Sequence, residues 1–326
     1  MGASVAVIGS FVQDLAFKVG DFPASGQTII GKFFTGPGGK GSNQAVACHR
    51  QGTPTVFVGA VGDDIFAAGY REWCKHEGLP IQLQTVPGST SGAASIVVNE
   101  KAHNAIVVAL GANDEMTSEH VLSVLSAESD LQVVLLQAES NLKAAESALH
   151  YARQHGLVSI FNPAPINPGV SSALLELADI ITPNETELAF LLEVATGRKF
   201  TEDVTKLSDE SIRELGALLP SSAVLMTIGE AGSVYYQRSA PHARLGNIKA
   251  GDIIRTEVVS VSALDTTGAG DAFNGGFASG LVRFDGDVKK AIRYATVVAG
   301  LSTENFGTAP AMPSRAAVEK RKSFYE

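Results

Sequence analysis

An α/β fold with a doubly wound, mostly parallel central sheet is predicted, flanked by helices and carrying a small extra sheet. Short β-branched runs alternate with helical patterns, and two apolar strands follow one another with no helix between them. No internal repeat or low-complexity linker divides the 326 residues, so they read as one domain, 1–326.

Val5 to Ile8 reads as the first strand, ended by Gly9. A helix over Ser42 to Gln51, a strand at Val56 to Val58 and a helix over Ile65 to Glu77 follow. Val133 to Leu136 is a buried strand. The helix Leu142 to Gln154 sets Leu142, Ala145, Leu149 and Ala152 on one face. Then come strands at Leu157 to Phe161 and Ile180-Ile181, a helix over Glu185 to Val194 and a strand over Ala223 to Ile228. Strands alternating with helices imply parallel β-α-β units.

Two regions break that rhythm. Thr28 to Phe34 is extended. Ala93 to Val98 and Ala105 to Leu110 read as a hairpin about Asn99-Glu100-Lys101. These pieces predict a lid, about residues 11–41 and 92–110, closing over the core. An edge extension of the main sheet fits the pattern equally well.

Charge excludes some partners. The net charge is 25 − 34 = −9, and no basic stripe runs along the chain, which argues against nucleic acid. The densest basic stretch, Lys320-Arg321-Lys322, reads as a solvated chain end. Two cysteines, Cys48 and Cys74, make neither a disulfide framework nor a metal-binding pair. No apolar stretch approaches the ~20 residues of a membrane span. The chain therefore reads as soluble and cytoplasmic, with no membrane partner.

Two glycine clusters carry the chemistry. The first is Gly36-Pro37-Gly38-Gly39-Lys40-Gly41-Ser42-Asn43. Its G-x-G-x-x-G spacing raises a dinucleotide site, but that fingerprint belongs directly after the first strand, which ends near Gly9. A Walker A loop would need glycine at Phe34 and Ser or Thr at Gly41. What remains is bare backbone entering a helix, with Lys40 and Asn43 as polar handles suited to a small polyhydroxy ligand; a plain glycine turn is the alternative.

The second cluster is Asp265-Thr266-Thr267-Gly268-Ala269-Gly270-Asp271, followed by an apolar helix. Gly268 to Gly270 then stand at a helix N-terminus, where unpaired amides form an anion site. Asp271 falls in the first turn beside that anion. Amides that steady a moving phosphate, with a carboxylate that takes the proton of an attacking hydroxyl, suit phosphoryl transfer. An acidic residue in a first turn is also an ordinary complement to the helix dipole. Gly275-Gly276 inside the helix costs ~1 kcal/mol per glycine, which tight packing on a neighbour would justify.

Gly38-Gly39-Lys40-Gly41-Ser42-Asn43-Gln44-Ala45 and Asp265-Thr266-Thr267-Gly268-Ala269-Gly270-Asp271 resemble the two signatures of the ribokinase-like (PfkB-type) family of carbohydrate kinases. Asn162-Pro163-Ala164-Pro165 and Thr182-Pro183-Asn184-Glu185-Thr186-Glu187 match the same family in order and spacing. The resemblance implies ATP-dependent phosphorylation of D-ribose on its 5-hydroxyl. Asp271 would be the general base, and Gly268, Ala269 and Gly270 the anion hole. Asp14, Gly39, Lys40, Asn43 and Glu139 would hold the sugar hydroxyls. Asn184 and Glu187 would organise Mg²⁺ and phosphate through water. Thr227, Ile228, Gly229, Glu230, Ala231 and Gly232 would form the nucleotide loop, with Gly270 beside it. Asp265, Thr267, Ser302, Asn305, Gly307 and Ala311 would form a monovalent-cation site for K⁺. A homodimer clasped through the lids is implied as well.

From the residues alone, Asp14 and Glu139 are placed just past strand ends, where open α/β sheets bind ligands; capping or solvated carboxylates are the alternative. Asn184, Glu185 and Glu187 also read as an ordinary N-cap with dipole partners, and Lys40 as a surface charge. Val12 stands where many members of the family carry Asn, which leaves sugar selectivity open. The rivals are a kinase of fructose or adenosine on the same fold, a non-catalytic sugar-binding protein, and a nicotinamide-dependent dehydrogenase.

Overall fold

The computed structural model describes residues 2–101 and 103–326. In chain order the elements are β1 (Val5–Ile8), β2 (Val12–Lys18), β3 (Lys32–Gly38), α1 (Lys40–Arg50), β4 (Thr55–Val61), α2 (Ile65–Glu77), β5 (Ile81–Thr85), β6 (Gly92–Val98) and β7 (Asn104–Ala109). They continue with α3 (Ser118–Ala127), β8 (Val133–Gln137), α4 (Leu142–His155), β9 (Val158–Asn162), α5 (Ser172–Leu177), β10 (Ile180–Ile181), α6 (Glu185–Thr196), α7 (Asp209–Ala217) and β11 (Ala223–Thr227). The last are β12 (Ser233–Gln237), β13 (Ile253–Thr256), α8 (Ala269–Arg283), α9 (Val288–Ser302) and α10 (Arg315–Glu319).

Nine strands form one sheet in the order β13-β12-β11-β10-β9-β8-β1-β4-β5. Pairing is parallel from β5 to β11, and β12 and β13 add an antiparallel edge. Period-two alternation sorts the side chains. Ala6, Ile8, Val134 and Leu136 pack with Leu125 of α3 and Leu149 of α4. Val5, Val7, Val133 and Leu135 pack with Val46 of α1, Tyr70 of α2, Phe277 of α8 and Val298 of α9. Both faces are covered, so these strands read as unbroken apolar runs. Each such Leu, Ile or Phe contributes about 1.5–3 kcal/mol by leaving water.

The glycines inside α8 have the predicted cause. A Cβ on Gly275 would meet the Gln44 carbonyl and, at 2.6 Å, the Ala47 side chain of α1, so the two helices pack almost backbone to backbone.

β2, β3, β6 and β7 form a separate sheet in the order β3-β2-β6-β7, and none of them pairs with the nine-stranded sheet. The extra strands are therefore not an edge extension. The strand expected over Thr28 to Phe34 is displaced to Lys32–Gly38. Its Pro37 is tolerated because β3 is an edge strand with one unpaired side. The small sheet springs from the C-terminal end of β1 through Ser10-Phe11. Asn113 anchors it there: its side chain accepts from the Phe11 N–H at 3.0 Å and donates to the carbonyls of Phe11 and Leu110, both at 2.8 Å.

α1 begins at Lys40 rather than Ser42. Gly39 takes the N-cap position with φ 88° and no side-chain cap, and the Ser42 hydroxyl instead accepts from Tyr70 at 2.8 Å. Among the described residues no helix is long and apolar enough to cross a membrane.

Candidate active site

The order of the large sheet fixes where a ligand belongs. From β1 the chain winds outward through β4 and β5, then returns to the other side of β1 with β8. The crevice past the ends of β1 and β8 is thus a topological switch point. Ser10 follows β1 and Glu139 follows β8. The Ser10 hydroxyl donates to Glu139 Oε2 at 2.6 Å, and the Lys40 backbone N–H donates to the same oxygen at 2.8 Å. One carboxylate thereby ties β1, β8 and α1, and no described residue donates a hydrogen bond to its Oε1. Glu139 lies past a strand end, as its sequence position predicts.

Asp14 does not. It sits within β2 and reaches the crevice from the small sheet, opposite Gly36 and near Thr308, whose hydroxyl donates to Asp14 Oδ2 at 3.3 Å. The sequence placed it at the end of β1 because β2 starts only four residues after that strand. Its carboxyl also explains Gly38: a Cβ there would lie 2.6 Å from the Asp14 Cγ. Burial raises the Asp14 pKa to about 6; the Thr308 hydroxyl opposes this, and the charges of Glu139 and Asp271 add to it.

Asp271 lies in the first turn of α8 and is buried. Asn43 donates to its Oδ2 and Gln44 to its Oδ1, each at 2.9 Å. Both donors come from the first turns of α1, so the two glycine clusters meet here although some 228 residues separate them. Asn43 Oδ1 is buried with no donor, an acceptor that a sugar hydroxyl would satisfy.

Gly268 caps α8 in the left-handed region at φ 77°. The predicted trio of anion-hole amides needs one correction. The Ala269 N–H donates to the Thr266 carbonyl at 3.2 Å in the turn that launches the helix. Among the described residues no carbonyl accepts from Gly268 or Gly270, so those two amides are the open donors.

Lys40 is the cation of the crevice. Burial disfavours its ammonium, yet the surrounding carboxylates of Asp271, Glu139 and Glu187 raise its pKa above the usual lysine value. The surface-charge alternative for Lys40 is thereby set aside.

Asn184 and Glu187 form a reciprocal capping box on α6. Asn184 Oδ1 accepts from the Glu187 N–H at 2.8 Å, and Glu187 Oε2 accepts from the Asn184 N–H at 2.9 Å. Burial raises the Glu187 pKa, the Asn184 N–H and Lys40 lower it, and Asp271 raises it again. The cap is real, and Glu187 Oε1 receives no hydrogen bond from a described residue. Such an oxygen fits a hydrated divalent cation.

Thr227 ends β11 and bridges to Asn184. Ile228, then Gly229, Glu230 and Ala231 in a short turn, then Gly232 carry the chain into β12. That loop lies beside the α6 cap at the same end of the sheet.

Asp265 joins two loops. Its Oδ1 accepts from the Thr267 N–H at 2.9 Å and its Oδ2 from the Gly307 N–H at 3.1 Å. These contacts hold Thr267 and Gly307; the Asp265 N–H donates to the Thr303 carbonyl at 3.1 Å, the Asn305 N–H to the Ser302 carbonyl at 3.5 Å, and the Ala311 N–H to the Thr308 carbonyl at 3.0 Å. The atoms offered are hard oxygens, suited to an alkali or alkaline-earth cation rather than a soft metal. Among the described residues no three or more His, Cys, Asp or Glu side chains converge closely enough to hold a metal ion by themselves.

Sequence reasoning missed Gln44 and Gln137. Gln44 stands inside the first signature, but its partners lie 93, 118 and 227 residues away and only the fold assembles them.

The profile of the "pfkB family carbohydrate kinase" matches residues 3–315. The ribokinase of Bacillus subtilis is 34% identical over 97% of this chain and 98% of its own. The solved ribokinase of Giardia lamblia superposes with a TM-score of 0.85 at 31% identity, covering 100% of both chains. The ribokinase of Arabidopsis thaliana, solved with ribose and ATP, gives 0.83 at 26% identity over 98% of each chain. With a whole-length profile match and relatives of this similarity, the chain belongs to the pfkB family of carbohydrate kinases.

Proposed function

We propose that the chain transfers the γ-phosphoryl group of ATP to the 5-hydroxyl of D-ribose. One observation carries the reading: a buried carboxylate, Asp271, held at both oxygens, stands in the first turn of a helix whose Gly268 and Gly270 amides are free. Asp271 takes the proton of the attacking hydroxyl. The amides meet the charge that spreads over the phosphoryl oxygens. Asp14, Gly39, Lys40, Asn43 and Glu139 hold the other hydroxyls, and the Lys40 ammonium balances the charge of the carboxylates. Thr227 to Gly232 carries the nucleotide, with Asn184 at its edge. Glu187 would hold Mg²⁺ through water, and that ion would supply neutralisation of phosphate charge. Asp265, Thr267, Ser302, Asn305, Gly307 and Ala311 hold K⁺, which would fix the loops beside Gly268.

The segments 11–41 and 92–110 act as a lid that excludes water, the competing acceptor. The Phe17 and Phe33 rings meet at 5.2 Å, tilted by 44°, on one side of that sheet, and Val107 shares their side by register. An exposed apolar face of this kind supports a homodimer clasped lid to lid. The reaction is assigned to the cytoplasm, where ATP is abundant.

The dinucleotide alternative has no support, because Gly36 and Gly38 lie in the small sheet rather than after β1. The decisive experiment is a panel of ribose, fructose and adenosine with ATP, run with and without K⁺. Ribose is expected to give the highest kcat/KM, with turnover rising in K⁺. Preference for another acceptor would reject the substrate, and no sugar-dependent ATP consumption would reject the enzyme.

A further inference from the structure

Behind the catalytic carboxylate lies a chain of buried amides that touches neither glycine loop's open face. Gln44 is fully buried. Its Nε2 donates to Asp271 Oδ1 at 2.9 Å and to Asn162 Oδ1 at 3.1 Å. Its Oε1 accepts from Gln137 Nε2 at 2.7 Å. Asn162 is held in turn, donating to the Thr182 carbonyl at 2.8 Å. A glutamine side chain has two N–H donors and one carbonyl, and here each has a partner. Flipping the amide would set its oxygen against a carboxylate and against Asn162 Oδ1. It would also set its NH₂ against the NH₂ of Gln137. The arrangement therefore admits one orientation, with a donor aimed at Asp271.

We infer that Gln44, locked by Gln137, is a positioning residue for the phosphoryl transfer. It pins one oxygen of Asp271 from the protein interior while Asn43 holds the other from the sugar side, and this fixes the carboxylate plane against the acceptor hydroxyl. The inference rests on Asp271 being the base. Its physical content is orientation: the base must meet the hydroxyl in one narrow geometry, and misplacement by about 1 Å costs on the order of 10²-fold. Gln137 closes β8, so a strand buried along its whole length sets the alignment. Substrate affinity depends on other groups, which separates kcat from KM.

The test uses the full-length enzyme with ATP and its best acceptor from the panel. Gln44→Glu keeps the shape but replaces the donor with an acceptor. It is expected to lower kcat by ~10–100-fold, with KM for sugar and ATP within about threefold of wild type. Gln44→Met is expected to lose about tenfold, and Gln137→Met, which frees Gln44 to rotate, roughly three- to fivefold. Folded Gln44→Glu and Gln44→Met proteins with kcat within about twofold of wild type would overturn the inference, as would a rise in KM at unchanged kcat. Where the Gln44 variants fail to fold, Gln137→Met decides alone, and an unchanged kcat overturns it. Asp271→Asn is assayed beside them. Normal turnover of that variant sinks the base assignment itself, whereas its inactivity beside normal Gln44 variants sinks only the role of Gln44.

Discussion

All five residues of β8 are buried, whereas all six of β7 are exposed. The contrast extends to the two sheets as wholes. The large sheet has helices on both faces and supplies the groups that must not move. The small sheet leaves Phe33 54% and Val107 72% exposed and contributes one side chain to the crevice, Asp14. The rigid framework lives in one, and the other brings Asp14 to the crevice from outside it. A sheet proposed to open, as this lid is, cannot be buried like one that stays, because every apolar group packed away from water resists opening.

The sharpest way to break this division is at Asp271. Asp271→Asn is expected to lower kcat by ~10²-fold or more while the melting temperature and the sugar KM stay near wild type, measured by a coupled assay and calorimetry. A variant that unfolds would assign the residue to the scaffold. Next comes packing. Leu135→Ala in the large sheet is expected to cost ~2–5 kcal/mol, and Val107→Ala in the small one to stay within about 0.5 kcal/mol, both read by denaturant unfolding. Similar losses would erase the contrast.

Asp14 gives the smallest effect and the most specific one. Its pKa near 6 lies above the ordinary 3.8, so the folded state holds that proton more tightly than the unfolded one. Its contribution to stability is complete below about pH 4 and is lost as pH rises through about 6. At pH 7.5 the ionised form weighs against the empty enzyme. Asp14→Asn is therefore expected to raise the ligand-free melting temperature by about 2–5 °C and the sugar KM by roughly tenfold. In the wild type, KM is expected to rise as pH falls below about 6, because the protonated acid accepts hydroxyls poorly. A flat KM between pH 5 and 7, within about twofold, would remove Asp14 from the sugar contacts.

How much of this the sequence disclosed follows the same divide. β10 and α2 lie where apolar runs and helical spacing put them, because a doubly covered strand has no choice but to be apolar. β5 (Ile81–Thr85) escaped notice, since its alternation with glutamines at an edge resembles a loop. β3 was displaced because Gly36-Pro37-Gly38 looks like a turn, and only an unpaired edge lets it be a strand. The hairpin over β6 and β7 was legible from its own residues, but its independence from the main sheet was not, since pairing partners are a property of the whole fold. At the site, Asp271 and its glycines were readable from the chemistry of helix N-termini. The Asp14–Thr308 contact and the amides behind Asp271 were not, since each depends on chain segments that only the tertiary structure joins.

The gathering of Ser10, Glu139, Asp271 and Thr308 into one crevice has a consequence for biosynthesis. Protein made from the N-terminus has Ser10 early and Thr308 only about 300 residues later. A nascent chain on the ribosome therefore has an incomplete crevice until Thr308 has emerged. A ligand of that crevice can stabilise the folded protein by mass action but cannot rescue a chain stalled before Asp271.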